Sequence, residues 1–418
     1  MRATGVLRRA ALLLVGSVGS QALAFGLSPF LTRLYGPAEF GVFGVFTAVT
    51  TLIASVASLG LEAAIVIERD PEQARYAYGL SLALAAAVSL AAAAAVLVAY
   101  LAGWTGGLSL PVLLMLPLSV LALGWGQAAV GRALSLDRAF AVASGRFMRA
   151  AGVGFAQLAL GLVAGTGVSL VAGALVGQVA ACVTVGVLLR RSAGPLAGLA
   201  GFRSVVRRHR RLLAWSAPQT LLSNLGASAV PVALAGRFPE ATVGAFSLAN
   251  RTVQVPAVTL GEAMRQSLLK SASDVSHDPA ALFGLLARAT AMLGLALGAA
   301  AVAGWHLAPA LFALVFGEPW RTAGAYAALL LVAQAAGIAN IPAVTAVTVC
   351  GLQRPFFAIQ AAGTAIRLAA LAWGEATGDA WLALACFAAA SALTSAAVSA
   401  WAGAWLWRRR IENREVLA

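Results

Sequence analysis

Lysine is almost missing from this chain: of 29 basic residues, 28 are arginine and Lys270 is the single lysine. Charge of either sign is scarce, since only 11% of the 418 residues are Asp, Glu, Lys or Arg. So few charges cannot cover a soluble globule of this size with polar surface. There is no G-x-x-x-x-G-K-[ST] loop, and Lys270 stands in "SLLKSAS", which excludes ATP hydrolysis on a phosphate-cradling loop. His209, His277 and His306 are scattered, with no partner at metal or triad spacing. Cys182, Cys350 and Cys386 lie within apolar segments, show no metal-ligand spacing and suggest no disulfide framework, so they read as small core residues. No long connection carries the acidic or histidine clusters that a membrane glycosyltransferase, polymerase or ligase needs. No catalytic residue, metal ligand or organic cofactor is expected.

What the chain has in abundance is apolar sequence, 61% of its residues. The runs recur at about the 20 residues that a helix needs to cross a bilayer, and the short alternating segments of a membrane barrel do not appear. The expectation is an all-α integral membrane protein with about 12 transmembrane helices. The expected spans are 10–32, 41–67, 76–101, 108–130, 148–165, 168–189, 212–235, 241–263, 281–304, 323–350, 354–374 and 380–407. The N-terminus, "MRATGVLRRAALLLVGSVGSQALAFG", has the layout of a signal peptide, including Ala22-Leu23-Ala24. Its apolar run continues to Leu31, so it reads as an uncleaved first helix.

With both termini placed in the cytoplasm, 24 Lys and Arg residues fall on that side. Only Arg33, Arg237 and Arg321 fall opposite, and Arg251 and Arg367 lie within spans. That asymmetry is the positive-inside signature and supports both count and orientation. The net charge of +14 is therefore spread in short tracts between spans, with no basic domain, and nucleic acid is not an expected partner. The densest tract, "RSVVRRHRR" at 203–211, reads as a topology determinant attracted to anionic headgroups, and as the linker between two halves.

Two stretches echo one another. "LTRLYGPAEFGVF" from Leu31 and "LAGRFPEATVGAF" from Leu234 each join an arginine, a turn with an acidic residue and a glycine before an apolar run. Both occupy the turn after the first helix of a six-helix set. Six is even, so the halves share one orientation, as parallel repeats. The expected organisation is a lobe over 1–202, a basic linker at 203–211 and a lobe over 212–418. Two such bundles facing a central cavity are typical of alternating-access transporters. The pairs Gly161/Gly165, Gly173/Gly177 and Gly294/Gly298 have the spacing of close helix packing.

The same stretches carry a family resemblance: "LTRLYGPAEFGVFGVFTAV", "LGLEAAIVIERD" from Leu59, "VGAFSLANRTVQVPAVTLGEAMRQSLL" from Val243 and "ALFALVFGEPWRTAGAYAALLL" from Ala310. They resemble the polysaccharide biosynthesis and export family, the Wzx-type flippases of the multidrug/oligosaccharidyl-lipid/polysaccharide (MOP) transporter superfamily. The resemblance implies a MATE-like fold in a bacterial inner membrane. It implies a carrier of undecaprenyl-diphosphate-linked oligosaccharide, the repeat unit of O-antigen, capsule or exopolysaccharide. Polymerase and chain-length machinery would be its partners, and an H+ or Na+ gradient its energy source.

A charged group within a span is costly and faces protein or a water-filled cavity. Arginine stays charged and meets phosphate oxygens in bidentate fashion, which suits a path for a lipid diphosphate. Arg251 and Arg367 are therefore candidate cavity cations, with Arg33 and Arg237 candidates near the exoplasmic exit. Each has a structural alternative, such as Arg367 pairing with Glu62. Glu62 and Glu262 are candidate coupling carboxylates, with Glu62 alternatively capping a bundle interface. Gln219, Asn224, Asn250 and Gln254 are candidates for sugar contacts or for bonds between helices. Three other functions remain open at this level: a multidrug/cation antiporter, whose cargo favours an acidic cavity; a lipid II-type flippase; and a non-transporting scaffold of an assembly complex.

Overall fold

In the computed structural model the described residues are 2–58, 60–68, 70–103, 108–190, 201–275 and 277–417. Among them are fourteen α-helices and one 3-10 turn at Glu318–Trp320, with no strand. The helices are α1 (Arg2–Leu34), α2 (Pro37–Ser58), α3 (Leu61–Ile67), α4 (Pro71–Leu101), α5 (Leu110–Ser135), α6 (Ala139–Val163) and α7 (Gly167–Leu189). They continue with α8 (Phe202–Arg237), α9 (Glu240–Asp274), α10 (Pro279–Phe316), α11 (Arg321–Ala339), α12 (Ile341–Val349), α13 (Gln353–Ala376) and α14 (Ala380–Leu417).

Each expected span falls on one helix, except two that fall on broken pairs. The segment 41–67 breaks at Gly60, which adopts a left-handed φ of 76°, open to glycine without steric cost. The segment 323–350 breaks at Asn340, ahead of Pro342, which has no N–H to continue the ladder. Asn340 is buried, and its Oδ1 accepts a 2.8 Å hydrogen bond from Ser399 Oγ on α14. Eight of the described helical segments are long and apolar enough to cross a membrane: α2, α4, α5, α7, α10, the α11–α12 pair, α13 and α14. The remaining long helices, α1, α6, α8 and α9, all carry arginines.

Local chemistry sets the helix starts. Asp70 caps α4 by accepting from Glu72 N at 2.9 Å, with Pro71 in the first turn. Asp278 does the same for α10, accepting from Ala280 N at 2.8 Å and Ala281 N at 3.2 Å beside Pro279. Gly317, at φ 105°, ends α10.

The chain forms two compact units, Met1–Gly244 and Ala245–Ala418. In the first, Phe46, Val112, Leu116, Val120 and Val171 build a core from α2, α5 and α7. Tyr35, at the end of α1, donates its hydroxyl hydrogen bond to the Gln157 carbonyl at 2.7 Å, and Gln157 Nε2 donates to the Leu170 carbonyl at 2.8 Å. This relay ties α1, α6 and α7 together through buried polar groups that have partners. Gly173 and Gly177 sit at the α6–α7 contact, where a β-carbon would run into Gln157 and Val153. In the second unit, Ala272, Leu282, Leu286, Ala346 and Leu406 form one core cluster, and Ala343, Val398 and Ala402 another. Gly294 and Gly298, with the same spacing, are not at a helix contact: a β-carbon on either would meet no atom within 4 Å, and both line a cavity of about 470 Å3 with Trp305 and His306. Spacing alone did not separate a helix contact from a cavity wall.

The three cysteines are free and half-buried, and Cys182 Sγ donates to the Ala122 carbonyl at 3.0 Å.

Candidate functional site

The two echoed turns meet in space. Arg33 lies in the last turn of α1 and Arg237 in the last turn of α8, both exposed, where cations favour the negative end of the helix dipole. Beyond each arginine the chain turns and restarts as α2 and α9. Gly41 and Gly244 occupy matching places in these restarts, and Pro37 and Glu240 also match, each pair lying 203 residues apart. A β-carbon on Gly41 would overlap the Glu240 carbonyl oxygen, and one on Gly244 would overlap the Pro37 carbonyl oxygen. The contact is thus reciprocal, as a two-fold relation between repeats requires.

The basic stretch at 203–211 is the first part of α8 and packs within the first unit. Val205 is 1% exposed, packed with Leu61, Ile65 and Ala77. Glu68, its side chain 3% exposed, takes Arg208 Nε at 2.9 Å and His209 Nε2 at 3.0 Å on one oxygen. Ser204 Oγ donates to Gln73 Oε1 at 2.9 Å. Arg203, Arg207 and Arg210 remain exposed.

The remaining candidate residues divide between the units. Glu62, on α3, is half-buried, and its Oε2 has no hydrogen-bond partner. Asn224, on α8, is half-buried, and the side chain of Gln219 lies outside the described residues. On α9, Asn250 and Arg251 are half-buried and Gln254 is exposed. Glu262 is exposed and bound on its own helix, accepting from Arg265 Nη2 and Gln266 Nε2, each at 2.8 Å. Arg367, on α13, is half-buried and also satisfied locally, donating to the Gly363 carbonyl at 3.2 Å and to Gln360 Oε1 at 3.4 Å.

Sequence reasoning passed over Gln157 and Gln178, two lone amides inside apolar runs. The signal that picked out Gln219 and Gln254 applies equally to them. Arg146 and Arg149, counted only as basic-side residues in the sequence, both line a cavity of the first unit together with Glu62 and Gln178.

An all-helical chain with several membrane-length apolar helices and charged groups set within others is a multi-pass membrane protein. Its fold is that of MOP superfamily transporters. It matches a multidrug resistance MATE transporter in an inward-facing conformation, with TM-score 0.71, 14% identity, and 95% of this chain and 96% of that one covered. It matches the lipid II flippase MurJ in an inward closed conformation equally well by TM-score, 0.71, with 9% identity and coverages of 93% and 86%. A MOP superfamily transporter from Pyrococcus furiosus, described by the reverse polarity of its binding pocket, aligns at TM-score 0.51, with 13% identity and coverages of 97% and 95%. Among curated protein sequences none matches. The sequence model of a family described as polysaccharide biosynthesis protein matches residues 30–325, and the chain belongs to that family.

Proposed function

We propose that this protein is a flippase that moves an undecaprenyl-diphosphate-linked oligosaccharide from the cytoplasmic to the outer leaflet of a bacterial inner membrane. The family match over residues 30–325 carries this reading. The reading holds that twelve spans form two six-helix lobes, 1–202 and 212–418, joined through 203–211, with both termini cytoplasmic. The lobes alternate access to a cavity lined by cations.

The half-buried Arg251 and Arg367 support it, because a diphosphate leaving water needs fixed positive charge along its path. In the same reading Arg33 and Arg237 receive the headgroup at the exoplasmic exit, and Asn224, Asn250, Gln219 and Gln254 meet sugar hydroxyls. An H+ or Na+ gradient drives the cycle, with Glu62 or Glu262 as the coupling carboxylate. Polymerase and chain-length machinery take the product.

The test is surface polysaccharide output in a deletion strain complemented with wild type, Arg251→Ala, Arg367→Ala and the corresponding Arg→Lys variants at equal membrane levels. The alanine variants are expected to lose export while lipid-linked oligosaccharide accumulates inside. Full export in the deletion strain itself contradicts the function, and full export in the arginine variants alone contradicts the assigned cations.

A further inference from the structure

Four helices of the first unit, α3, α5, α6 and α7, line an open cavity of about 510 Å3. Its lining is mostly aliphatic, interrupted by Glu62, Gln127, Arg146, Arg149, Gln178 and Cys182. Two of these polar groups are engaged elsewhere: Arg146 Nη1 donates to Ser17 Oγ at 2.5 Å, and Cys182 donates to the Ala122 carbonyl at 3.0 Å. Glu62 and Gln178 also line the cavity, and each has an acceptor unmet within the protein. Glu62 Oε2 and Gln178 Oε1 are both sequestered from solvent and have no donor, and Gln178 is only 7% exposed.

A buried acceptor without a donor is unfavourable, and proteins retain one where something else completes the hydrogen bond. The set of side chains restricts what that is. A metal cation would satisfy the two oxygens but would face the guanidinium groups of α6. A bare anion would suit the guanidinium groups but would give neither oxygen a donor and would sit in a cavity shared with a carboxylate.

Water can donate to both oxygens but gives the guanidinium of Arg149 no opposite charge, whereas a ligand with hydroxyl groups at one end and a phosphate at the other matches both kinds of group. Its hydroxyls donate to Glu62 and Gln178, its phosphate oxygens accept from Arg149, and the C–H faces of a sugar ring pack on the aliphatic lining. We propose that this cavity within the first unit is a binding site for a glycosyl phosphate. Its size falls in the range of roughly 300–1,000 Å3 typical of small-ligand pockets. Resting on the flippase reading, the ligand is the sugar-phosphate head of the lipid-linked cargo. A free sugar phosphate shares the same chemistry.

The full-length protein in lipid nanodiscs is titrated calorimetrically with the 1-phosphates of glucose, galactose and N-acetylglucosamine, and in parallel with inorganic phosphate and the free sugars. The expected result is saturable binding of at least one glycosyl phosphate, about tenfold or more tighter than either of its fragments. Glu62→Gln and Gln178→Leu each weaken it about tenfold or more. Gln178→Leu melts no lower than wild type, because it removes an amide oxygen that has no donor. Displacement of the probe by a short-chain polyprenyl-diphosphate saccharide assigns the site to the cargo, and failure to displace assigns it to the free sugar phosphate. Absence of saturable binding, or equal binding in wild type and both variants, overturns the site. Translocation by wild type, measured separately, keeps the flippase reading standing in that case.

Discussion

Gly41 and Gly244 hold matching places in two turns far apart in sequence, and each lies so close to the other's helix start that a β-carbon on it would overlap a backbone carbonyl. A side chain in the way can rotate, whereas a carbonyl inside a helix moves only with its backbone. The close approach is therefore available to glycine alone, and it lets two repeat-related turns touch along their main chains. Contacts of Cα–H with a carbonyl oxygen add a small attraction there.

Gly41→Ala and Gly244→Ala should each force these helix starts apart. Overpacking of this kind costs about 1–3 kcal/mol, so both variants are expected to melt several degrees below wild type in detergent. Gly294→Ala, with no atom within 4 Å of the added carbon, should melt at or slightly above wild type, as alanine is the better helix former. Equal melting of all three would contradict the packing described.

Glu68 anchors the basic start of α8 through Arg208 and His209. Glu68→Gln keeps the shape but removes the charge, so amide hydrogen exchange over 202–211 is expected to rise by about tenfold, the equivalent of 1.4 kcal/mol. Val205→Ala should raise it less, through lost burial of about 1 kcal/mol. Unchanged protection in Glu68→Gln would mean that apolar packing alone seats the segment.

Tyr35→Phe removes the hydroxyl that binds the Gln157 carbonyl at 2.7 Å and also meets the Ser169 side chain. A hydrogen bond of this type contributes about 0.5–1.5 kcal/mol, so thermal unfolding should shift down by a few degrees, while membrane insertion is unchanged. A larger loss would indicate that the ring itself has repacked against Gly161, whose space it fills.

The helices were legible in the sequence because burial in hydrocarbon leaves a plain signal, an unbroken apolar run of sufficient length. The breaks at Gly60 and Asn340 were not, since each lies inside such a run and glycine is common in this chain. The repeat was legible from the two turns, but their direct contact was not, because sequence gives matching positions without distance. By charge, the stretch at 203–211 reads as a topology determinant and linker, and the apolar position that docks it, Val205, is inconspicuous among arginines. At the candidate site the sequence picked out Glu62 by its charge. It missed Gln178, which looks like any lone amide until a cavity and an unmet oxygen are placed beside it. Arg251 and Arg367 stand out in the sequence as Glu62 does, as charges inside apolar runs, whereas the bonds of Arg367 to Gly363 and Gln360 depend on rotamers that no spacing reveals.

The most direct measurement is translocation in proteoliposomes. Purified protein is reconstituted with a fluorescent undecaprenyl-diphosphate-linked saccharide, and movement between leaflets is followed by its accessibility to a membrane-impermeant quencher. Transfer well above protein-free vesicles is expected, reduced about tenfold or more, some 1.4 kcal/mol, by Arg251→Ala at equal protein content. Transfer no faster than in protein-free vesicles, under an imposed H+ or Na+ gradient and with folded protein, would contradict the flippase reading.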